Sequence, residues 1–301
     1  MPTLTRVSAL RSLALAACVL ALAGCAATAP GGVGPAREVA LAVTASHQLV
    51  AFHAAQPQHL LWRRPLQGLQ PGETVLGLDH RVKNETFYLL GSSGQLYTLD
   101  PDTAVLTPLG RPVGAPLTGR HVGFDFNPVA DRLRVVSDAG MNLRLHPDTG
   151  EAVDGNAELP GWQPDGPLQA VAGDPLHGRP VSLVAAAYSY NKANPKITTN
   201  YVIEAYRGLL MIQGSREGAT PVVSPNTGQL RTVGPLLAGP FASAQMDIDI
   251  LTDQAYAALN PLEGGAPRWV RLDVNTGRAT VLGTVGVTEP LLAMALDPQP
   301  Q

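Results

Sequence analysis

The fold is decided by a stretch that runs through Val122-Gly-Phe-Asp125, Leu133-Arg-Val-Val136 and Asn142-Leu-Arg-Leu145 to Pro147-Asp-Thr-Gly150. The runs are short and rich in β-forming residues, turn residues separate them, and apolar residues do not recur at helical spacing. The closing Asp-Thr-Gly is typical of a tight hairpin turn, where glycine adopts the positive φ that other residues avoid. The stretch therefore predicts a small antiparallel sheet.

The same pattern occurs once before this stretch, in Val75-Leu-Gly-Leu-Asp79, Phe87-Tyr-Leu-Leu90, Gln95-Leu-Tyr-Thr-Leu99 and the turn Asp100-Pro-Asp-Thr103. In both copies the aspartate of the first run lies 23 residues before the turn aspartate, at positions 79 and 102 and at positions 125 and 148. Units of about 40 to 50 residues with about four strands are typical of β-propeller blades, whose sheets stack radially to bury both faces.

Two further copies follow, and the ends of the chain predict how the propeller closes. One copy lies between Leu168 and Gly228 and contains a long irregular segment, and the next runs from Gln245 to Leu282. The run Leu291–Asp297 has the form of an innermost strand that no blade follows, whereas the N-terminal strands from residue 40 to 52 lack one. The sequence thus predicts an all-β, five-bladed β-propeller in which N-terminal strands and the C-terminal strand complete one blade, leaving no exposed edge.

The central motif also carries a family resemblance. Gly123-Phe-Asp-Phe-Asn-Pro128, Asp131-Arg-Leu-Arg-Val-Val-Ser-Asp138 and Asn226-Thr-Gly-Gln-Leu-Arg-Thr-Val-Gly234 are similar to blocks of a bacterial lipoprotein family known as domain of unknown function 4394. The resemblance implies an exported protein with propeller-like repeats. It implies no activity, because the family offers no established catalytic residues that could be carried over.

The N-terminus has the features of an export signal. Arg6 and Arg11 precede a short apolar stretch, which is followed by Leu22-Ala-Gly-Cys25. The apolar stretch is shorter than the roughly 20 residues that a transmembrane helix needs, so cleavage is the better interpretation. Leu22-Ala-Gly-Cys25 resembles the lipobox of bacterial lipoproteins, in which the cysteine thiol accepts a diacylglycerol. The alternative is an ordinary signal peptide with an incidental cysteine.

These features divide the chain into a lipoprotein signal peptide at residues 1–24, a flexible Gly- and Pro-rich tether at 25–37 and a propeller domain at 38–301. We predict lipidation of Cys25. Resemblance to Gram-negative lipoproteins implies that Ala26, in the place of Asp, directs the protein to the outer membrane, facing the periplasm. The membrane would then be a partner through the lipid anchor, and we expect a monomer.

Charge and cysteine content exclude several classes of function. The formal net charge is −3, and loss of Arg6 and Arg11 with the signal would leave −5. An acidic chain without a basic cluster is not expected to bind nucleic acid. Cys18 would leave with the signal, so the mature domain has no internal disulfide and depends on its core for stability.

Acidic residues recur at the predicted ends of the innermost strands: Asp79, Asp125, Asp174, Asp247 and Asp297, with Asn127 and Asp249 two residues after Asp125 and Asp247. One hypothesis is that oxygen ligands gather at one mouth of the central channel and hold a hard cation such as Ca²⁺. Its ligands would be Asp79, Asp125, Asn127, Asp247 and Asp249. The other hypothesis is that each side chain caps the turn that follows it. The sequence favours capping, because a turn residue repeats in every blade whereas a site usually breaks symmetry.

The irregular segment Ala187–Tyr201 breaks the symmetry and is the second candidate site. It contains Tyr188, Tyr190, Lys192, Asn194 and Lys196, in a chain with few aromatic residues. Aromatic rings with adaptable polar groups on a loop suit the recognition of a glycan or a protein surface. The alternative is a longer hairpin whose tyrosines are simply exposed.

The mature chain contains no nucleophile elbow, paired-histidine zinc helix, phosphate loop or dinucleotide fingerprint. The sequence therefore favours a non-catalytic envelope lipoprotein that uses one propeller face to bind a protein or glycan. The alternative is a metal-assisted hydrolase or lyase with its site at the mouth of the channel.

Overall fold

A computed structural model describes residues 38–298, which form twenty β-strands in five sheets. The signal peptide, Cys25 and the tether up to residue 37 lie outside the described residues, as do residues 299–301. Among the residues described, no helix has the length and apolar character required to cross a membrane.

The strands follow one another sheet by sheet. The N-terminal sheet contains β1 (Val39–Thr44), β2 (Gln48–His53) and β3 (Leu60–Pro65). The second contains β4 (Val75–Arg81), β5 (Thr86–Gly91), β6 (Leu96–Asp100) and β7 (Val105–Leu109). The third contains β8 (Val122–Asn127), β9 (Arg132–Ser137) and β10 (Asn142–Leu145). The fourth contains β11 (Gln169–Ala170), β12 (Leu183–Tyr188), β13 (Asn200–Glu204), β14 (Leu209–Gln213) and β15 (Gln229–Pro235). The fifth contains β16 (Ser243–Ile248), β17 (Ala255–Asn260), β18 (Arg268–Leu272) and β19 (Ala279–Thr284), and β20 (Leu291–Asp297) follows it.

The five sheets are the blades of a propeller. The innermost strands β4, β8, β12, β16 and β20 contact one another in a closed ring. The chain closes this ring through its own ends, because β20 pairs antiparallel with β1 from Val39↔Asp297 to Val43↔Ala293 and the first blade has the order β20-β1-β2-β3. Both the predicted five-bladed architecture and the predicted closure are therefore confirmed.

Alternation along the strands places the core between the blades. In β1, Leu41 and Val43 pack with the second blade, whereas Ala40 and Ala42 pack with the fifth. Successive strand residues point to opposite faces of a sheet, so each blade supplies side chains to two separate apolar clusters. Five such clusters, one between each pair of neighbouring blades, make up the core of the described chain.

The fourth blade differs from the sequence-based expectation. The segment that begins at Leu168 does not form an innermost strand, because β11 pairs in parallel with β15 at the outer edge of the sheet. The innermost strand of this blade is β12, and Asp174 lies away from the ring. Its carboxylate accepts hydrogen bonds from the backbone N–H of Thr232 at 2.6 Å and that of Leu176 at 2.8 Å. A short apolar run before a glycine has the same pattern at an inner or an outer edge, and only the non-local pairing distinguishes the two.

A buried polar network occupies the boundary between the third and fourth blades, where the third blade has only three strands. Arg134 donates to Asp165 at 2.5 Å, to Asn142 at 2.8 Å and to Asn226 at 2.5 Å. Arg144 binds the same carboxylate through its Nη2 at 2.8 Å. Charges this deeply buried are tolerated only when they are paired and hydrogen-bonded. The most specific sequence motif is thus used, at Arg134 and Asn142, to hold two blades together.

Candidate functional site

The two ends of the ring have different chemistry. We name the end at which the innermost strands terminate the aspartate end, and the end at which they begin the groove end. The hairpin turns that follow β4, β8, β12 and β16 lie at the aspartate end. The connection from β15 to β16 and the turns after β13 and β17 lie at the groove end.

Three carboxylates meet at the aspartate end. Asp79, Asp125 and Asp247 each place one carboxylate oxygen within 4.8 Å of the other two, and their exposed fractions are 2%, 1% and 4%. The sequence predicted that these three lie near one another, because they occupy equivalent positions in β4, β8 and β16. We call them the aspartate cluster.

Each member of the cluster links its blade to the next. Asp79 accepts the backbone N–H of Phe126 at 2.6 Å, Asp125 that of Tyr188 at 2.9 Å, and Asp247 that of Leu296 at 2.6 Å. The residues that precede Tyr188 and Leu296, at the matching positions of the other two innermost strands, are Ala187 and Ala295. The ring therefore carries carboxylates on three of five equivalent positions, and its symmetry is broken there.

The capping hypothesis is correct for three residues, Asn127, Asp174 and Asp249, and does not account for the bonds of the cluster between blades. Asn127 accepts the backbone N–H groups of Val129 and Ala130, both at 2.9 Å. Asp249 accepts those of Leu251 at 3.0 Å and Thr252 at 2.7 Å. The cluster carboxylates each bond to the neighbouring blade, and Asp247 also accepts the backbone N–H of Ile248 in its own strand at 2.6 Å. A bonding partner in another blade has no signature in the local sequence, which is why turn capping was the better sequence-based expectation.

Burial and mutual repulsion hold protons on the cluster. Burial raises the pKa of Asp125 well above its usual value, and the charges of Asp79 and Asp247 raise it further. The pKa of Asp79 is raised in the same way by burial and by Asp247. Burial also raises the pKa of Asp247, to about 7. The cluster therefore retains protons near neutral pH, and a cation that displaced them would meet hard oxygen ligands of the kind Ca²⁺ prefers.

The fit to Ca²⁺ is limited by ligand number. Ca²⁺ takes six to eight oxygen ligands, whereas the cluster offers three carboxylates that each already accept a backbone N–H. Asn127 and Asp249 use their oxygens in turns, so the five predicted ligands do not form a single shell. The Ca²⁺ hypothesis for these five residues stays a prediction.

The predicted binding loop is divided between the core and the surface. Tyr188 is the last residue of β12 and is only 1% exposed, so the expectation that it lies on an exposed loop is wrong. Tyr190 is half-buried, and burial together with the nearby charges of the cluster raises its pKa well above the usual value. Lys192, Asn194 and Lys196 are exposed on the hairpin between β12 and β13. The sequence did carry a signal that β12 extends through Tyr188, because the run Leu183–Tyr188 has no turn residue before Ser189.

The groove end contains a feature that the sequence did not reveal. A depression of about 590 Å³ lies between the β13–β14 turn and the β15–β16 connection. Its rim carries Tyr206, Leu237 and Leu262, which are 76%, 64% and 65% exposed. A second depression of about 350 Å³ at the mouth of the channel shares His121, Ala242 and Leu262 with it. We call the two together the apolar groove.

Leu237 has an unusual backbone as well as an exposed side chain. Its φ is +57°, in the left-handed region that costs a residue with a Cβ about 1 kcal/mol or more. Leu236 beside it is 1% exposed and packs into the core. The only sequence signals of the groove are leucines within turn segments rich in Pro and Gly, Pro235-Leu-Leu-Ala-Gly-Pro240 and Pro261-Leu-Glu-Gly-Gly265.

The interior of the ring is closed between the two ends. A cavity of only about 10 Å³ is found there. Gly77 and Gly123 allow the close approach, because a Cβ on Gly77 would lie 2.3 Å from Cβ of Phe124 and one on Gly123 would lie 2.5 Å from the backbone nitrogen of Ala186. The aspartate cluster and the apolar groove are therefore separate sites.

A family model for a domain of unknown function, DUF4394, matches residues 48–295. The chain belongs to this family. The match covers the second to fifth blades of the DUF4394 propeller in full and, in the first blade, β2, β3 and most of the closing strand β20. No curated protein is significantly similar to the chain in sequence.

Several solved structures resemble the DUF4394 propeller at low identity. Hydrazine synthase from Kuenenia stuttgartiensis is 11% identical with a TM-score of 0.41, over 73% of this chain and 51% of the other. A nidogen/laminin complex is 11% identical with a TM-score of 0.45, over 86% and 98%. A protein of unknown function from Bacteroides thetaiotaomicron is 12% identical with a TM-score of 0.44, over 86% and 56%. The chain thus spans about half the length of the first and third, and none of the three assigns it a function.

Proposed function

We propose that this DUF4394 protein is a non-catalytic envelope lipoprotein, anchored through Cys25 to the outer membrane, whose apolar groove binds a segment of a partner protein. The observation that carries the proposal is the rim of the groove. Four large apolar side chains of the described residues are more than 60% exposed, and three of them, Tyr206, Leu237 and Leu262, surround this one depression. Clustered exposure of this kind is typical of an interaction site, whereas single exposed apolar residues are not.

The shape and chemistry of the groove favour a protein segment over a glycan. Its volume of about 590 Å³ lies in the range of pockets that bury several side chains or a small ligand. Two of its three rim residues are leucines and Tyr206 is its one exposed aromatic ring, while Asp138 and Arg207 also line it and can bond to the polar groups of a peptide. A segment with two or three apolar side chains complements this rim.

The position of the N-terminal end of the domain also supports the groove as the binding site. Glu38, the first residue described, accepts a hydrogen bond from the Thr252 hydroxyl at 3.0 Å, and Thr252 lies in the turn between β16 and β17 at the aspartate end. A tether to Cys25 therefore leaves the propeller from the end opposite to the groove. An anchored molecule would present the groove away from its membrane, where a partner can reach it.

The alternative, a metal-assisted hydrolase or lyase, is less well supported. A substrate would need to contact Asp79, Asp125 or Asp247, and none of the three is more than 4% exposed. A hydrolytic site requires room for a substrate beside its metal, which this arrangement does not provide.

Site-specific photo-crosslinking in envelope membranes of the source bacterium tests the proposal. A photoreactive amino acid at Leu262 should give a discrete adduct with one protein, and the same residue at Val222 should not. Val222 is a matched control because it is 81% exposed but lies away from the groove. The combination of Tyr206→Ser with Leu237→Asn should abolish the adduct without unfolding the domain, since asparagine tolerates the left-handed backbone at position 237.

An adduct that forms equally well at Val222, or that survives both rim substitutions, would exclude the groove as the binding site. Saturable binding of a purified glycan that the same two substitutions abolish, with no protein adduct at Leu262, would show a glycan site instead. Release of the protein by high salt from washed membranes would argue against the lipid anchor on Cys25.

A further inference from the structure

A third depression, of about 510 Å³, lies at the aspartate end between the fourth and fifth blades. The β14–β15 connection and β15 form most of its wall, and Asn275 from the β18–β19 turn completes it. Two arginines, Arg216 and Arg231, line it, and none of its lining residues is acidic. Two guanidinium groups in one cavity repel each other unless an anion lies between them or nearby.

Both arginines are held in place by neutral acceptors. Arg216 donates to the Tyr201 hydroxyl at 2.9 Å, to Asn275 Oδ1 at 3.1 Å and to the Val274 carbonyl at 3.1 Å. Arg231 donates to the Gly214 carbonyl at 2.5 Å and to Gln229 Oε1 at 3.3 Å. A guanidinium has five N–H donors, so these contacts leave two donors of Arg216 and three of Arg231 available.

The two fully buried arginines of the described chain are paired with carboxylates, whereas the half-buried Arg216 and Arg231 are not. Arg81 pairs with Asp131 at 2.6 Å, and Arg134 pairs with Asp165 at 2.5 Å. Between residues 38 and 298, neither Arg216 nor Arg231 lies within 4.0 Å of a carboxylate. Arg64 and Arg268 are also half-buried without an ion pair, so the distinguishing feature of Arg216 and Arg231 is that both line one depression.

Nearby acidic side chains are engaged elsewhere. Glu217 accepts from Ser189 at 3.1 Å and from Asn191 at 3.2 Å. Asp273 accepts from the Thr276 hydroxyl at 2.7 Å and from the Asn275 backbone at 2.9 Å. Each acid is hydrogen-bonded within its own turn or loop, and only Asp273 lies close enough to Arg216 for the guanidinium charge to help lower its pKa.

We infer that this depression binds a phosphate-type oxyanion through Arg216 and Arg231. Guanidinium forks match the geometry of phosphate oxygens and form charge-assisted hydrogen bonds with them. The hydroxyl of Ser215 accepts the backbone N–H of Val223, which leaves its own proton free to donate to the same anion. The protein carries a net negative charge, so attraction of an anion depends on this local pair and not on the overall field.

The phosphate could be free in the periplasm or belong to a lipid headgroup. The depression lies at the aspartate end, the same end from which the chain leaves toward the tether at Glu38. On the proposed lipid anchor, this end would face the bilayer and its phosphates. The headgroup source therefore rests on the proposed function, whereas anion binding itself does not.

Calorimetric titration of the full chain in neutral detergent tests the inference with two probes. Inorganic phosphate represents the free ion, and glycerophosphoglycerol, the deacylated headgroup of phosphatidylglycerol, represents the lipid. At least one probe should bind saturably, and Arg231→Gln should weaken binding by about tenfold or more, because a charge-assisted hydrogen bond to the anion is lost. Preference for the phosphodiester would indicate the lipid source, and preference for inorganic phosphate the free ion.

Arg278→Gln is the matched control, since Arg278 is exposed on the fifth blade and does not line the depression. Arg216→Gln should weaken binding of the same probe as well. A melting curve of this variant confirms that loss of the hydrogen bond to Tyr201 leaves the domain folded. Absence of saturable binding to both probes, or equal weakening by Arg278→Gln, would overturn the inference. The crosslink at Leu262 should be unaffected by Arg231→Gln, so failure here is distinguishable from failure of the groove proposal.

Discussion

Asp165 shows how one carboxylate can secure two blades. It binds Arg134 and Arg144, and its side chain is only 1% exposed. Asp165→Ala would leave Arg134 buried without its charge partner, so we expect a loss of about 3–5 kcal/mol in the free energy of unfolding, measured by urea denaturation.

Asp148→Ala is the comparison for this prediction. Asp148 also pairs with a buried arginine, Arg81, but its own side chain is 58% exposed and Arg81 keeps Asp131. We expect less than about 1 kcal/mol. Equal losses in the two variants would contradict the assignment of Asp165 as the central partner.

The aspartate cluster predicts that stability falls as pH rises. The pKa of Asp247 is about 7 in the folded chain against an ordinary 3.8, so the folded state binds protons more tightly than the unfolded state. This stabilisation is complete below pH 4 and is lost as the pH passes through 7. We expect the free energy of unfolding to decrease by more than about 1 kcal/mol between pH 5 and 8, because one pKa unit corresponds to about 1.4 kcal/mol.

The triple variant Asp79→Asn, Asp125→Asn, Asp247→Asn should show a flatter pH profile, since asparagine accepts the same backbone N–H without titrating. The buried His80, whose pKa is lowered, acts in the opposite direction but is present in both proteins. Addition of Ca²⁺ at pH 8 should raise the melting temperature of the wild type alone if the cluster binds the ion. If the free energy of unfolding of the triple variant depends on pH as strongly as that of the wild type, the cluster does not titrate in this range.

At the residue scale the sequence predicts the cluster but not its bonds. The equal spacing of Asp79 and Asp125 from their turns suffices to place them at one level of the ring. Whether a carboxylate bonds to its own turn, as Asp249 does, or to the next blade, as Asp247 does, depends on contacts between strands far apart in the chain. Neither local propensity nor spacing carries that information.

Among the structural elements, the innermost strands approach one another most closely where glycine replaces a side chain. A Cβ on Gly123 would lie 2.5 Å from the backbone nitrogen of Ala186 in β12. Gly123→Ala should force the third and fourth blades apart and cost about 1–3 kcal/mol as overpacking. Thermal unfolding followed by circular dichroism measures the effect.

Gly114→Ala supplies the matched control. A Cβ at Gly114 meets nothing within 4 Å, and its φ is not in the left-handed region. This substitution should be neutral or slightly stabilising, because alanine restricts the unfolded chain. A comparable loss at both positions would show that close packing of β8 on β12 is not the cause.

Element boundaries could be predicted wherever the repeat is regular. Strands β4 to β10 follow the alternation and turn signals of the sequence, and β16 to β19 do so again. The fourth blade could not be predicted, because Gln169 and Ala170 gain their strand character from parallel pairing with β15. The rim of the apolar groove was missed for a related reason, since Tyr206, Leu237 and Leu262 come from three separate turns.

For the whole molecule, closure through β20 should be essential. This strand contacts β1, β4 and β16, and its removal would expose the edge of β1 and the apolar clusters on either side. A chain that ends at Pro290 should form aggregates in size-exclusion chromatography. A synthetic peptide spanning residues 290–298 should restore a monomer, and a scrambled peptide should not.

A stable monomer from the truncated chain alone would show that the remaining blades close without β20. Closure itself is predictable from the sequence. The C-terminal end offers an innermost strand without a blade and the N-terminal end a blade without an innermost strand, so the two are expected to pair. The direction in which the groove faces is not predictable, since it depends on where Glu38 lies in the closed ring.

The pairing of β1 on both sides also determines how the domain bears mechanical load. Tension from a lipidated Cys25 would reach the propeller at Glu38 and pull on β1, which is hydrogen-bonded to β2 and to β20. Force along a strand held on both edges shears two ladders at once, whereas force on an outer strand such as β3 would unzip one. On the proposed anchor, force would therefore enter at a strand that is paired on both sides, and we expect the first blade to resist loads that would unzip a strand with one partner.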